Sequence, residues 1–267
     1  MAAVQGFEVV IIPNEDECFQ PLSKDLIPST FIYKKDKLGL SYIFEFFLQY
    51  HFDSVSVVVG DDIESEQVAG CMEGFEKFVK VVQIDGYKGS ADALRKVASM
   101  ISLNVVVVTG IPNLKMNLLN ALDVYRRKEC ICLIVLEKLN DHKADKNKAN
   151  PVYGITSDQR ILSYADLLVR SKELNIPKAL LQDYPSFTLY TNLVDRNIVI
   201  CGNTFISLLN AIPSADDLKT DFLSTLIRRQ HYYRDNEEYR TMQDMIQQST
   251  TDIFKTVKRM VIRAYFI

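Results

Sequence analysis

Residues equipped to handle a nucleotide are sparse in this chain. A phosphate-binding loop needs glycine, because its backbone N–H groups approach the anion at dihedrals and distances that a Cβ obstructs. The segment that follows the first apolar run, Pro13-Asn14-Glu15-Asp16-Glu17-Cys18, has no glycine, loses a donor at proline and carries three carboxylates. Each such acid, held ~4 Å from a phosphate oxygen in half-exposed surroundings, is unfavourable by one to a few kcal/mol. Asp61-Asp62 could hold a hard cation through two carboxylates, or serve as a helix cap or solvated loop. After the apolar run that ends at Thr109 come Gly110, Ile111 and Pro112, none of them a hard ligand. No GxSxG, HExxH, P-loop or GxGxxG pattern is present. These observations assign no catalytic residue and no metal ligand, and they imply no cofactor.

One small-residue motif remains, Gly89-Ser90-Ala91-Asp92-Ala93-Leu94-Arg95. Glycine, serine and alanine at the start of a helix let a flat base or another stretch of backbone come close, with helix N–H groups pointing outward. The same residues also serve simply to end a loop and cap a helix. Gly89, Ser90, Ala91 and Asp92 are the candidate base-pocket residues. Cys18, Cys71, Cys130, Cys132 and Cys201 contain no CxxC pair, and His51, His142 and His231 are scattered, which is poor material for zinc. The expectation is reduced, buried thiols, with Cys130 and Cys132 on one face of a strand.

The elements that must position these residues follow from apolar periodicity. Phe7–Ile12, Val55–Val59, Phe78–Val82, Val105–Thr109 and Ile131–Leu136 are short, β-branched and apolar on both faces, as parallel strands covered by helices are. Between them the spacing predicts helices over Leu38–Tyr50, Ser65–Glu76, Ser90–Ile101 and Leu114–Arg127. This cadence means a doubly wound α/β fold with a mostly parallel sheet. The polar stretch His142–Asn150, closed by Pro151, is a surface loop. Beyond it, Tyr153–Thr156, Arg160–Tyr164, Phe187–Leu193 and Asn197–Cys201 read as strands. Helices start at Thr204 and at Leu218, the latter behind the capping pair Asp216-Asp217. Residues 235–251 read as a linker or marginal helix, and Val261–Ile267 as a terminal strand.

Composition sets the outer limits. Of 267 residues, 48% are hydrophobic and 24% charged, enough for a packed α/β core and unlike a disordered chain. A net charge of −3 and a pI near 5.7 give no broad footprint for nucleic acid. No apolar run approaches the ~20 residues of a membrane span, and the start MAAVQGFEVV lacks a basic region and cleavage site. A cytoplasmic protein without direct nucleic-acid or membrane partners is expected.

Taken in order, strand one, the Gly89–Arg95 motif and the later segments resemble the sugar-phosphate nucleotidyltransferase superfamily. Within it the chain is similar to the gamma subunits of eukaryotic translation initiation factor 2B. Leu180-Leu181-Gln182-Asp183-Tyr184-Pro185, Leu189-Tyr190-Thr191-Asn192-Leu193-Val194-Asp195, Leu218-Lys219-Thr220-Asp221-Phe222-Leu223 and Leu226-Ile227-Arg228-Arg229-Gln230 carry that likeness. The resemblance implies a Rossmann-like nucleotidyltransferase domain over residues 1–233, a linker or marginal helix over 234–260, and a terminal strand over 261–267. It also implies that the strand would lead to a β-helix domain that this chain does not include. Against the active members, Asn14, Glu15 and Asp16 stand at glycine positions and Cys18 at an arginine. Ser29, after Pro28, stands near the catalytic lysine and Ile111 near the metal-binding aspartate, while a Lys-Pro-Leu-Ile element persists as Lys37-Leu38-Gly39-Leu40. The resemblance therefore implies a domain that is not an enzyme. It would be a subunit of the guanine-nucleotide exchange factor for initiation factor 2, paired with an epsilon-like subunit and the rest of that complex. The alternative is an active or ligand-sensing nucleotidyltransferase homologue.

Overall fold

The computed structural model describes residues 4–13, 33–34, 37–60, 68–69, 71–72, 74–110, 116–128, 130–139, 151–165, 176, 178–229 and 261–267. Valine-rich runs form the centre of the molecule. β1 (Phe7–Ile12), β4 (Val55–Val59), β5 (Val79–Gln83), β6 (Asn104–Thr109), β7 (Cys132–Lys138), β11 (Leu193–Cys201) and β12 (Ile262–Phe266) make one seven-stranded sheet, in the order β12-β7-β11-β6-β1-β4-β5. All its ladders are parallel except the two made by β11, which runs antiparallel to both β6 and β7. The fold is thus a mixed, mostly parallel α/β sheet. A two-residue ladder of β2 (Tyr33–Lys34) with β3 (Lys37–Leu38) sits ahead of the first helix.

Strand periodicity divides the core cleanly. Val10, Ile12, Val105 and Val107 point to one face, Val9, Ile11, Val106 and Val108 to the other, and each set joins a separate buried cluster. The second face is covered by α1 (Gly39–Gln49) and α3 (Leu118–Arg127), which is capped by Asn117 accepting from the Asn120 N–H at 3.4 Å. The first face is covered by α2 (Ser90–Val97), α5 (Asn203–Ala211) and α6 (Ser224–Arg229). Between β7 and β11 the chain leaves the main sheet and builds a smaller antiparallel one, β10 (Thr188–Tyr190), β8 (Val152–Ile155) and β9 (Ile161–Ala165), with the short α4 (Lys178–Asp183).

Several expectations shift. α4 has no counterpart in the sequence reading. The helix expected over Ser90–Ile101 ends at Val97 and passes into a 3₁₀ turn, Ala98–Met100. The helix expected from Leu218 begins as a π-turn, Leu218–Leu223, in which the Phe222 N–H reaches the Asp217 carbonyl at 3.1 Å. Cys130 and Cys132 do not share a face. The chain bends at Ile131, so strand alternation begins only at Cys132; Cys132 joins one cluster while Cys130 packs on the other. The terminal strand β12 is the outermost strand of the main sheet, paired in parallel with Cys132–Leu136, and the Ala264 N–H reaches the Gln159 carbonyl on its far side at 2.9 Å. Asn14–Cys18, Asp61-Asp62, Ile111–Pro112, Pro28-Ser29, His142–Asn150 and the stretch 234–260 lie outside the described residues.

Candidate functional site

In a sheet of this kind ligands meet the carboxyl ends of the parallel strands, and the polar side chains do concentrate there. β6 ends on Thr109, buried, its hydroxyl without a hydrogen-bond partner among the described residues; Gly110 follows at φ 75°. β11 starts at the same end, because it is antiparallel, and starts irregularly. From Asp195 to Val199 it takes four steps while β7 takes two, from Leu136 to Ile134. The extra residues bulge outward, with Asn197 in the left-handed region at φ 61°, where asparagine is among the few tolerated side chains. The Asp195 carboxylate closes the bulge by accepting the Asn197 N–H at 2.7 Å. Lys219, from the π-turn, donates to the Asn197 side-chain oxygen and lies 3.4 Å from the Asp195 carboxylate. Arg196 pairs with Glu137 at the end of β7, and burial pulls the guanidinium pKa down. Beneath Asp195 and Lys219, Tyr153, Tyr164, Leu223 and Ile227 leave a cavity of about 10 Å³, room for one water at most.

The Gly89–Arg95 motif adjoins this cluster and is engaged internally. Gly89 is extended, and a Cβ there would stand 2.6 Å from the Asp216 carbonyl oxygen. The first N–H groups of α2 do not point free into solvent, as the sequence suggests. Ala91 and Asp92 both donate to the Asp216 carbonyl, at 2.9 and 3.2 Å. Ser90, buried, donates to the Asp217 carboxylate and accepts from the Leu218 N–H, each at 2.9 Å. Asp92 accepts from the Lys88 N–H and pairs with Arg95 at 3.0 Å. Arg95 spans the joint, donating to the carbonyls of Leu209, Ile212 and Ala215 at 3.4, 3.1 and 2.7 Å. Of the approaches that small residues permit, a second stretch of backbone is the one realised here. Burial alone would raise the Asp217 pKa. Hydrogen bonds from the Thr220 N–H, the Ser90 hydroxyl, the Lys219 N–H and the Thr220 hydroxyl outweigh it, and the carboxyl is held below its ordinary value.

Sequence reasoning did not single out Asp195, Asn197 or Lys219 as a cluster. Its only trace was that Leu193-Val194-Asp195 and Leu218-Lys219-Thr220 set polar residues inside apolar segments. Among the described residues no group of three or more His, Cys, Asp or Glu side chains is arranged to hold a metal ion. No described helix is long and apolar enough to cross a membrane. A cleft of about 850 Å³ lies at the other end of the strands, between Val4, the end of α1 and α3. Its Tyr50 hydroxyl and Arg126 guanidinium are engaged with the carbonyls of Met116 and Gln5.

The fold finds counterparts among known proteins. No family model matches the chain. Translation initiation factor eIF2B subunit gamma of Schizosaccharomyces pombe is 23% identical over 237 residues, 84% of this chain and 52% of its own length. The chain therefore spans about half the length of that curated relative. Among solved structures, HddC from Yersinia pseudotuberculosis complexed with GMP-PN superposes with a TM-score of 0.61 at 12% identity, covering 97% of this chain and 90% of that one. The inositol-1-phosphate CTP transferase from T. maritima gives 0.55 at 11%, covering 97% and 84%. The architecture is a nucleotidyltransferase fold. This corrects the expectation that the domain is not an enzyme. A CTP transferase shares the architecture over nearly the whole chain, and the acidic turn from which a loss of activity was inferred lies outside the described residues. The weaker likeness in sequence relates the chain to a translation initiation factor.

Proposed function

We propose that the chain is the nucleotidyltransferase-fold domain of a gamma-type subunit of the guanine-nucleotide exchange factor for translation initiation factor 2. In this reading it works in the cytosol, pairs with an epsilon-like subunit and the rest of that complex, and supports translation initiation by assisting that subunit's exchange activity toward initiation factor 2. In this reading the domain takes in residues 1–233, with 234–260 connecting it to the terminal strand 261–267, which would lead on to a C-terminal domain. The observation that carries the reading is the alignment with eIF2B subunit gamma across 84% of the chain. The segments behind the resemblance also meet in space: Asp195 from one and Lys219 from another form an ion pair beside the β11 bulge. The test is isolation of the tagged chain from its native cytosol under gentle salt. An epsilon-like subunit in equal amount is the expected result. A chain that elutes alone, as a monomer, refutes the assignment.

A second reading rests on the fold shared with a CTP transferase and with a protein bound to GMP-PN. Here the chain binds or turns over a nucleotide, with Gly89–Asp92 beside the base. The Asp216–Leu218 backbone, which holds those residues, then has to yield. Calorimetry with nucleoside triphosphates and nucleotide-sugars, together with Mg²⁺-dependent release of pyrophosphate from triphosphate plus sugar phosphate, decides it. Absence of both binding and turnover at millimolar ligand removes the reading.

A further inference from the structure

Cys132 opens β7 and Cys201 closes β11, and the two are direct partners in the antiparallel ladder. Residues directly opposed across such a ladder have Cα atoms ~4.5 or ~5.5 Å apart, according to whether the pair is hydrogen-bonded. Both spacings fall within the range a disulfide spans. Opposed side chains also leave the sheet on the same face, and Cys132 and Cys201 lie in the same buried cluster. No other described cysteine is so placed. Cys130 packs on the opposite cluster, and Cys71 sits beyond α1, against that same second face.

We propose that Cys132 and Cys201 form an oxidisable cross-strand dithiol, a redox-sensitive staple at the far end of the β7–β11 ladder from the Lys138 and Leu193 pair where the excursion carrying β8, β9, α4 and β10 departs and returns. The chain leaves the main sheet after β7 and re-enters it at β11, so a bond between the first residue of one strand and the last residue of the other closes that whole excursion into a covalent loop. With a small disulfide such as oxidised glutathione as oxidant, one cysteine thiolate attacks a glutathione sulfur. A mixed disulfide forms and the first glutathione leaves as thiolate. The opposed cysteine thiolate then attacks the cysteine sulfur of that mixed disulfide and expels the second glutathione. The balance is two protein thiols and one oxidised glutathione in, one protein disulfide and two reduced glutathiones out, two electrons passing from protein to glutathione. Both sulfurs are shielded from solvent, and burial raises both thiol pKa values. Exchange is therefore slow, and the ladder sets the equilibrium rather than the rate.

The experiment is an equilibrium titration of the intact chain in glutathione redox buffers, folded and in urea, with acid quenching, alkylation and peptide mapping. The expected result is a Cys132–Cys201 disulfide as the principal protein product in the folded chain. It forms at a ratio of oxidised to reduced glutathione at least ~10-fold lower than in urea, because the ladder holds the sulfurs together. Cys132→Ala removes that product and leaves glutathione adducts elsewhere unchanged. Equal formation of the pair in folded and unfolded chain overturns the proposal. So does a folded chain whose principal products are glutathione adducts of Cys130 or Cys71. The wild-type comparison needs no variant, so it tests the proposal even where a Cys132→Ala chain fails to fold.

Discussion

Removing the Asp217 carboxylate should separate α2 from the π-turn, and the cost can be worked from the contacts. Its oxygens accept from the Lys219 and Thr220 N–H groups, both at 2.8 Å, from the Thr220 hydroxyl at 3.0 Å and from the Ser90 hydroxyl at 2.9 Å. Asp217→Ala deletes a helix cap, about 1 kcal/mol. It also strands the donor of buried Ser90, a further 1–3 kcal/mol or so. The expected loss is about 2–4 kcal/mol at neutral pH, read as a lower urea midpoint by circular dichroism. Asp217→Asn keeps acceptors for the two N–H groups but not the charge, and should lose about 1 kcal/mol. The pH dependence has a definite sign. The folded carboxyl titrates below its ordinary value, so its contribution is complete above the unfolded value of ~3.9 and disappears as pH falls through the folded one. The gap between wild type and Asp217→Asn should hold steady above pH ~5 and close as the pH drops below ~4. An Asp217→Ala chain within ~0.5 kcal/mol of wild type refutes the reasoning, as does a gap indifferent to acid.

Gly89→Ala places a Cβ 2.6 Å from a backbone oxygen that cannot swing aside as a side chain would. It should cost about 1–3 kcal/mol, and exchange at the Ala91 and Asp92 amides should accelerate if the joint opens. Phe205 and Phe222 are fully buried and meet edge to face, with ring centroids 5.1 Å apart. Either alanine variant should lose about 3–5 kcal/mol, and the double variant less than the sum, a coupling that a denaturation cycle measures. At Asn197, with φ 61°, glycine and valine both forfeit the amide contact with Lys219. Glycine should nevertheless melt higher, by the ~1–2 kcal/mol that a side chain costs in the left-handed region.

The central sheet was legible because its strands are apolar on both faces and short. Phe7–Ile12 and Val55–Val59 fall where periodicity puts them, since no other element has that pattern. The excursion was harder to read. α4 has only six residues, too few for a helical period to show against Pro177 and Pro185. The continuity of β11 from Leu193 to Cys201 is hidden because a bulge between Asp195 and Val199 breaks the two-residue alternation on which strand reading depends. The site was legible only in part for a different reason. Asp195 and Lys219 lie far apart in the chain, and only the antiparallel return of β11 carries Asp195 to the end of the sheet where the π-turn waits. Spacing within a segment carries no information about that meeting.

The Gly89–Arg95 motif shows how far a local pattern can mislead about its object. Gly89 is small because the Asp216 carbonyl passes beneath it, and Ser90 is a serine because one hydroxyl must both donate to Asp217 and accept from Leu218. Arg95 is long and forked because three carbonyls at the end of α5 and beyond it would otherwise face a gap between helices. Each of these residues has a reason internal to the fold, so the motif's presence is evidence for the joint and leaves the question of a ligand to be answered elsewhere. The residues whose types packing does not demand are Asp195, Arg196 and Lys219. At the carboxyl ends of the strands, Asp195 and Arg196 sit on a bulge that interrupts an otherwise regular ladder, and Lys219 reaches it from the π-turn. A regular strand would bury apolar side chains in their place at less cost in backbone and in desolvation. Their arrangement therefore needs a cause outside the core, and it makes that end of the sheet, rather than the start of α2, the surface on which partner and nucleotide readings should be tried first.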